Sequence, residues 1–336
     1  MTPVPFTRFR PSASRCPSGR GPTPPWRFGL AAYGVSGLGV DYKNGPIDQP
    51  SYYNFGGGNT APLASGEYTD LAIMKFSPAI AYQPLPNLSI GLGVHVDYAS
   101  LDLREGSSNG FSAGLQPGII YKPIDNLHLG LTYISPQKVT FDNVADFDGN
   151  GYLDDLDLEA PQQASFGAAY TVPSINLLVE ADVRWLNWSN ADGYSDFDWD
   201  DQWVFAIGGQ IEPVQNLFLR AGYNYGKNPV NEHNDWDGSF NPATGQPNSV
   251  QNIQGKVLPN YYYETFRVIG FPAIVEHHLT LGAGYRFTDN FELNLAWVHG
   301  FETSIKETGT DLFGRPISIE STLSEDSLDF GFTWRF

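Results

Sequence analysis

The chain has 336 residues with a formal net charge of −18; 17% are charged and 14% aromatic, and Gly (36) and Pro (25) are abundant. So acidic a balance excludes nucleic acid as a partner, because phosphate binding needs a basic surface, and no run approaches the about 18 apolar residues of a membrane-spanning helix. A mean hydropathy of −0.28 still permits a transmembrane β-barrel, whose strands turn only every second residue to lipid.

Met1 to Arg27 carries Arg8, Arg10, Arg15, Arg20 and Arg27 among prolines, with no acidic residue and no apolar core. It does not read as a signal peptide, and Cys16 has no second cysteine to pair with. We expect residues 1–27 to be disordered, the start to be misassigned or the gene truncated, and a barrel domain to fill 28–336.

Alternating runs follow at 28–41, 68–83, 88–104, 110–122, 127–143, 162–172, 176–189, 202–212, 217–227, 276–287, 291–303 and 325–336. They predict an all-β fold, a transmembrane antiparallel β-barrel of about twelve strands. In the third run Leu88, Ile90, Leu92, Val94, Val96 and Tyr98 oppose Ser89, Gly91, Gly93, His95 and Asp97. In the seventh, Leu177, Val179, Ala181, Val183 and Trp185 oppose Glu180, Asp182 and Arg184.

Short connections such as Pro84-Leu85-Pro86-Asn87 and Pro123-Ile124-Asp125-Asn126 carry hairpin chemistry. They alternate with long polar connections at 43–67, 105–109, 144–161, 190–201, 228–275 and 304–325. That asymmetry suits an outer-membrane barrel, with short turns on one rim and long loops on the other. Tyr82, Tyr121, Tyr170 and Phe287 near the short turns, and Tyr98, Tyr133, Trp185 and Trp297 toward the long loops, suit two interfacial girdles. A soluble sandwich also alternates, but runs of about ten residues exceed the usual globular strand of about five or six.

In chain order, Phe28 to Tyr42, Phe76 to Leu103, Leu129 to Val139 and Leu281 to Phe301 resemble the FadL/TodX family of outer-membrane channels for long-chain fatty acids and aromatic hydrocarbons. The family's pattern is fourteen strands plus an N-terminal hatch bearing Asn-Pro-Ala; this sequence lacks that motif before Phe28 and is about two strands short. The resemblance implies bacterial outer-membrane localisation and passive uptake of a hydrophobic small molecule, by lateral diffusion through a kinked strand whose counterpart holds Gly34, Gly37 and Gly39. Ordinary small-residue packing is the other reading of those glycines. A general diffusion porin and a non-functional truncated barrel are the alternatives to this function.

Further candidates come from the residues themselves. Phe266 and Phe271 in the longest loop would contact a hydrophobic ligand or simply pack over the barrel mouth. Inward Arg220 and Arg286 would meet a ligand carboxylate, or pair with Glu180, Asp182 or another lumenal carboxylate. Asp146, Asp148, Asn150, Tyr152 (through its carbonyl), Asp154 and Asp157 follow a twelve-residue calcium-loop pattern with Gly151 at the sixth position. No cofactor is required, but this external loop would hold a structural Ca2+. Six histidines, among them His95, His128, His233 and His299, sit in no nucleophile or metal spacing, so no enzyme is expected. The terminal Leu328, Phe330, Phe332, Trp334 and Phe336 look like a signal for the barrel assembly machinery. The partners expected are therefore outer-membrane lipids, that machinery and the ligand, with the chain acting as a monomer.

Overall fold

A computed structural model describes residues 25–43 and 67–335; the expectations for 1–24, for most of the first long loop and for Phe336 lie outside the described residues. The first strands are β1 (Trp26–Asp41), β2 (Tyr68–Leu85), β3 (Leu88–Asp102), β4 (Ser107–Ile124), β5 (Leu127–Ile134), β6 (Gln137–Ala145) and β7 (Asp154–Ala160). After them come β8 (Gln163–Val172), β9 (Leu177–Leu186), β10 (Gln202–Val214), β11 (Leu217–Gly226) and the three-residue β12 (Asn234–Trp236). The chain finishes with β13 (Val250–Ile253), β14 (Lys256–Pro259), helix α1 (Asn260–Thr265), β15 (His277–Arg286), β16 (Phe291–Thr310) and β17 (Pro316–Trp334).

Apart from the pairs β6–β7 and β13–β14, these strands form one thirteen-stranded sheet. Twelve are long wall strands that pair antiparallel with their nearest wall neighbours in chain order; β12 joins parallel to β16. The predicted barrel and its strand count are thus observed. Among the described residues β1 and β17 flank the seam, each paired with one neighbour. Seam side chains are the most open to solvent, Phe28 at 80% and Phe330 at 80% against 41% for Leu92 within the wall.

The wall is apolar outside and polar inside. In β3, Ile90, Leu92, Val94, Val96 and Tyr98 are exposed, whereas His95 and Asp97 are buried. A water-soluble fold would reverse that order; a barrel in lipid requires it. The short turns include two left-handed asparagines, Asn176 (φ 50°) and Asn216 (φ 68°), the non-glycine residue type that tolerates this conformation best. At the long-loop side the indoles of Trp185 and Trp297 donate to Asp201 (2.9 Å) and Asp326 (3.0 Å). Such a ring, apolar in body and polar at its tip, suits the membrane boundary.

Two boundaries differ from the sequence reading. The fifth run, expected to continue to 143, stops at Ile134, because Pro136 lacks the N–H that a central wall strand must donate. Beyond it β6 and β7 form a separate hairpin that lies against the inner face of β4. A Cβ added at Gly110 would come within 2.6 Å of Val139, and one at Gly114 within 2.6 Å of Gln137, so the absence of side chains there lets the hairpin dock. The second difference is at 304–325, expected as a loop: β16 and β17 remain paired from Thr303 through Thr310 and from Pro316 through Leu323. Pairing persists there although the outward residues turn polar, because these strands rise beyond the apolar band.

The core sits at the long-loop end. Leu38, Leu71, Ala99 and Leu101 on the upper inner wall join Val139, Phe141, Leu156 and Leu158 of the hairpin. Trp188, Trp199, Tyr262, Phe266 and Ile274 of the longer loops complete the same cluster. Together they make a cap over the mouth, tied to the wall by the Thr69 hydroxyl donating to the Gly270 carbonyl at 2.6 Å.

Candidate functional site: the capped lumen and the β1 irregularity

Three features of the lumen bear on function: an apolar cap with internal space, a polar cluster beneath it, and a broken register in the adjoining wall. In the cap, Phe266 and Phe271 line a cavity of about 20 Å³ with Leu156, Leu158, Tyr194, Phe197 and Trp199. A second cavity of about 20 Å³ lies below, between the inner wall residues Leu71, Ile73, Asp97, Ala99 and Ser112 and the hairpin residues Val139, Phe141 and Leu158. Leu158 and Tyr194 line both, so these side chains border the two.

The wall beside the second cavity is irregular. In the β1–β2 ladder Gly34 faces Met74 and Ser36 faces Ile73, which leaves Val35 as an extra residue. Inserting one residue bends a strand and interrupts its pairing. Gly34 and Gly37 have open space where a Cβ would point, whereas at Gly39 a Cβ would lie 2.6 Å from the Thr69 carbonyl oxygen. Two of the three glycines therefore border the irregularity without being needed for close packing, and the third serves the β1–β2 contact. Ile73, opposite Ser36, also lines the lower cavity.

Beneath the cap, Lys75 faces Asp97 across the β2–β3 ladder. Its ammonium lies 3.4 Å from Asp97 Oδ2 and 3.1 Å from His95 Nδ1, and donates to Gln137 Oε1 at 2.5 Å. His95 Nε2 lies 2.9 Å from Gln116 Oε1. Lys75, His95, Asp97 and Gln137 are all buried.

Arg220 and Arg286 lie nearer the short-turn rim. Arg286 and Arg220 approach the buried Glu292 at 3.3 Å and 3.9 Å, and Arg335 joins them at 3.6 Å. Arg220 also donates to Gln210 (2.9 Å) and Asn294 (2.8 Å). Glu292, on a strand whose period marks it inward, is thus the further lumenal carboxylate that the sequence reading left unnamed.

In the acidic loop Asp146, Asp148 and Asp154 bring one oxygen each to within 4.8 Å of one another. Their carboxylates also cap loop amides: Asp146 accepts from Gly149 and Gly151, Asp148 from Asn150, and Asp154 from Phe147. Burial pushes the Asp146 carboxyl up, against the pull of those amides. Asn150 accepts from the Tyr152 amide, while Asp157 turns away to Lys138 and Thr140, each at 2.5 Å.

Sequence reasoning missed the ionic lock inside the cap. The Arg267 side chain has 0% exposure; its Nη1 pairs with Glu264 and Glu307, each at 2.9 Å. Its remaining nitrogens donate to the carbonyls of Phe197 (3.0 Å) and Asn231. His233 continues the network, with Nδ1 3.0 Å from Glu264 and Nε2 2.8 Å from Asp198. The bond to Glu264 holds the His233 pKa above its usual value, aided by Asp198 and opposed by burial and the Arg267 charge. A raised histidine pKa gives stability that is complete below the unfolded value of about 6.5 and fades as pH climbs through the raised one. We therefore expect the protease resistance of the cap to exceed that of a His233→Gln variant at pH 5.5, and the gap to narrow in alkaline buffer. A gap that does not change with pH would contradict this assignment.

The comparisons agree with this architecture. Residues 102–236 match the family model described as outer membrane protein transport protein (OMPP1/FadL/TodX). The fold is similar to that of the Pseudomonas putida toluene transporter TodX at 18% identity and a TM-score of 0.58, covering 94% of this chain and 80% of that one. It is also similar to a Pseudomonas aeruginosa FadL homologue at 16% identity and a TM-score of 0.58, covering 91% of this chain and 74% of that one. No curated relative matches the chain in sequence. The match to the OMPP1/FadL/TodX model thus runs from the end of β3 to β12, and the described chain as a whole shares the outer-membrane barrel fold of these two solved structures.

Proposed function

We propose that the chain takes up hydrophobic compounds, long-chain fatty acids or aromatic hydrocarbons, by passive lateral diffusion: ligand enters the cap, descends past Leu158 and Tyr194, and leaves through the wall at the β1 irregularity. The observation that carries this reading is the alignment of two apolar-lined cavities with the register break, joined through Ile73 opposite Ser36. A wide aqueous pore would need an open lumen, whereas here the mouth is filled by a packed core. The likeness to a toluene transporter supports a small aromatic cargo.

Deleting Val35 restores an even β1–β2 register and removes the bend. We expect that variant to assemble in the outer membrane while hydrophobic uptake falls to the level of cells lacking the protein. Uptake equal to wild type, with assembly verified by heat-modifiable gel migration, would refute the lateral route.

The acidic loop extends the proposal. Asp146, Asp148 and Asp154 form a ligand nucleus for a structural Ca2+ with modest affinity, in the range of about 0.1–1 mM as for external modules. Calcium is expected to raise the melting temperature of wild type relative to EDTA and to leave Asp148→Ala unmoved; no shift in wild type would dismiss the ion.

A further inference from the structure

The lower cavity has one feature that an apolar passage does not require. Asp97 and Ser112 face each other across the β3–β4 ladder, and Asp97 Oδ1 and Ser112 Oγ are buried without a hydrogen-bond partner while lining the cavity. Asp97 is 2% exposed. Buried acceptors left unsatisfied are costly, and their persistence marks a place where something else completes them.

We infer that Asp97 and Ser112 form a subsite for the hydroxyl group of a hydrophobic alcohol or phenol, with the apolar body of the ligand lying along Ile73, Val139, Phe141 and Leu158. This rests on the hydrophobic-uptake reading and names the ligand class within it. A hydroxyl has one hydrogen to give and lone pairs to receive. It donates to Asp97 Oδ1 and accepts from the Ser112 hydroxyl, so both orphaned atoms are satisfied at once. A cavity of about 20 Å³ admits one water-sized group, so the head docks there and the body parts the β6–β7 hairpin from the wall.

The surrounding charges argue against other head groups. A ligand carboxylate would meet the Asp97 carboxylate and find no cation to answer it, since the Lys75 ammonium is already met by Asp97 Oδ2, His95 and Gln137. An ammonium would bring a charge into a site where Asp97 is already balanced by Lys75, and its desolvation would go uncompensated. An ether of the same shape can accept from Ser112 but gives nothing to Asp97.

Three para-substituted toluenes separate these cases: p-cresol, its methyl ether 4-methylanisole, and p-toluate. Binding to the refolded full chain in detergent micelles is measured by calorimetry, with titration into empty micelles subtracted. A hydrogen bond to a charged acceptor predicts that wild type binds p-cresol about ten- to a hundredfold tighter than the ether, with p-toluate weakest. Ser112→Ala, which disturbs no ion pair, should weaken p-cresol and the ether alike, since both accept from Ser112, and Asp97→Asn, which leaves only a neutral acceptor, should cut the preference for p-cresol. If Asp97→Asn fails to fold, the Ser112→Ala comparison decides alone. Equal binding of cresol and ether by wild type overturns the subsite while leaving hydrophobic uptake intact. Undiminished affinity for p-cresol in Ser112→Ala overturns it as well. Absence of saturable binding by any probe overturns both the subsite and the uptake reading.

Discussion

Replacing Leu92 by arginine is expected to cost about 2–4 kcal/mol of stability in a bilayer, the penalty for a cation on the lipid face near the midplane. Leu92 lies mid-strand on β3, outward and exposed, opposite Ile80 on one side and Pro117 on the other. Nothing in that apolar neighbourhood can solvate a guanidinium, and the side chain would have to snorkel past several residues to reach water. The same change at Ser89, on the inward face of the same strand, should cost about 0.5 kcal/mol or less, like other polar surface substitutions. Urea titration of the refolded protein in vesicles measures both, and equal costs would mean that the outward face does not meet lipid.

The second large effect is expected at Arg267. Arg267→Met retains most of the volume but leaves Glu264 and Glu307 buried without their cation, and the carbonyls of Phe197 and Asn231 without their donor. Breaking a buried pair from one side costs about 3–5 kcal/mol. The loss should fall on the cap and spare the wall, because the partners of Arg267 are in the outer loops and at the far end of β16, beyond the apolar band. Hydrogen exchange across 188–200 and 260–271 should accelerate strongly while amides of β3 and β10 keep their protection. Unchanged exchange in the cap would show that apolar packing alone holds it. A uniform loss across the whole chain would show that cap and wall do not fold as separate units.

The wall was legible because a lipid-facing stretch must alternate, and β3 from Leu88 to Tyr98, β9 from Val179 to Trp185 and β11 from Leu219 to Tyr225 do so. The inward β6–β7 hairpin was not, since Val139 and Phe141 continue the same period past Pro136 and alternation cannot tell a wall strand from one folded inside it. Pro136 itself, with the small inward Gly110 and Gly114 on β4, was the available signal. The upper β16–β17 ladder was read as loop for the complementary reason: above the bilayer the outward positions need no apolar side chain.

The site was partly legible. Sequence period placed Asp97, Arg220 and Arg286 on the inward face, but only register could pair Asp97 with Lys75 and Ser112, or bring Glu292 to the two arginines. The Arg267 lock was hidden because its partners Asn231 and Glu307 lie 36 and 40 residues away. In the acidic loop three of the six expected ligands, Asp146, Asp148 and Asp154, lie together, whereas the orientation of Asp157 is set by its pairing across β6 to Lys138 and Thr140.

What holds all of this together is that greasy side chains point out of the wall and hydrophilic ones into it. Spin labels placed one at a time from residue 90 to 98, in a Cys16→Ser background and in reconstituted vesicles, measure that directly through collisions with oxygen, which concentrates in lipid. We expect high oxygen accessibility at 90, 92, 94, 96 and 98 and low accessibility at 91, 93, 95 and 97. A flat profile, or one with the two sets exchanged, would contradict the barrel and the transport reading built on it.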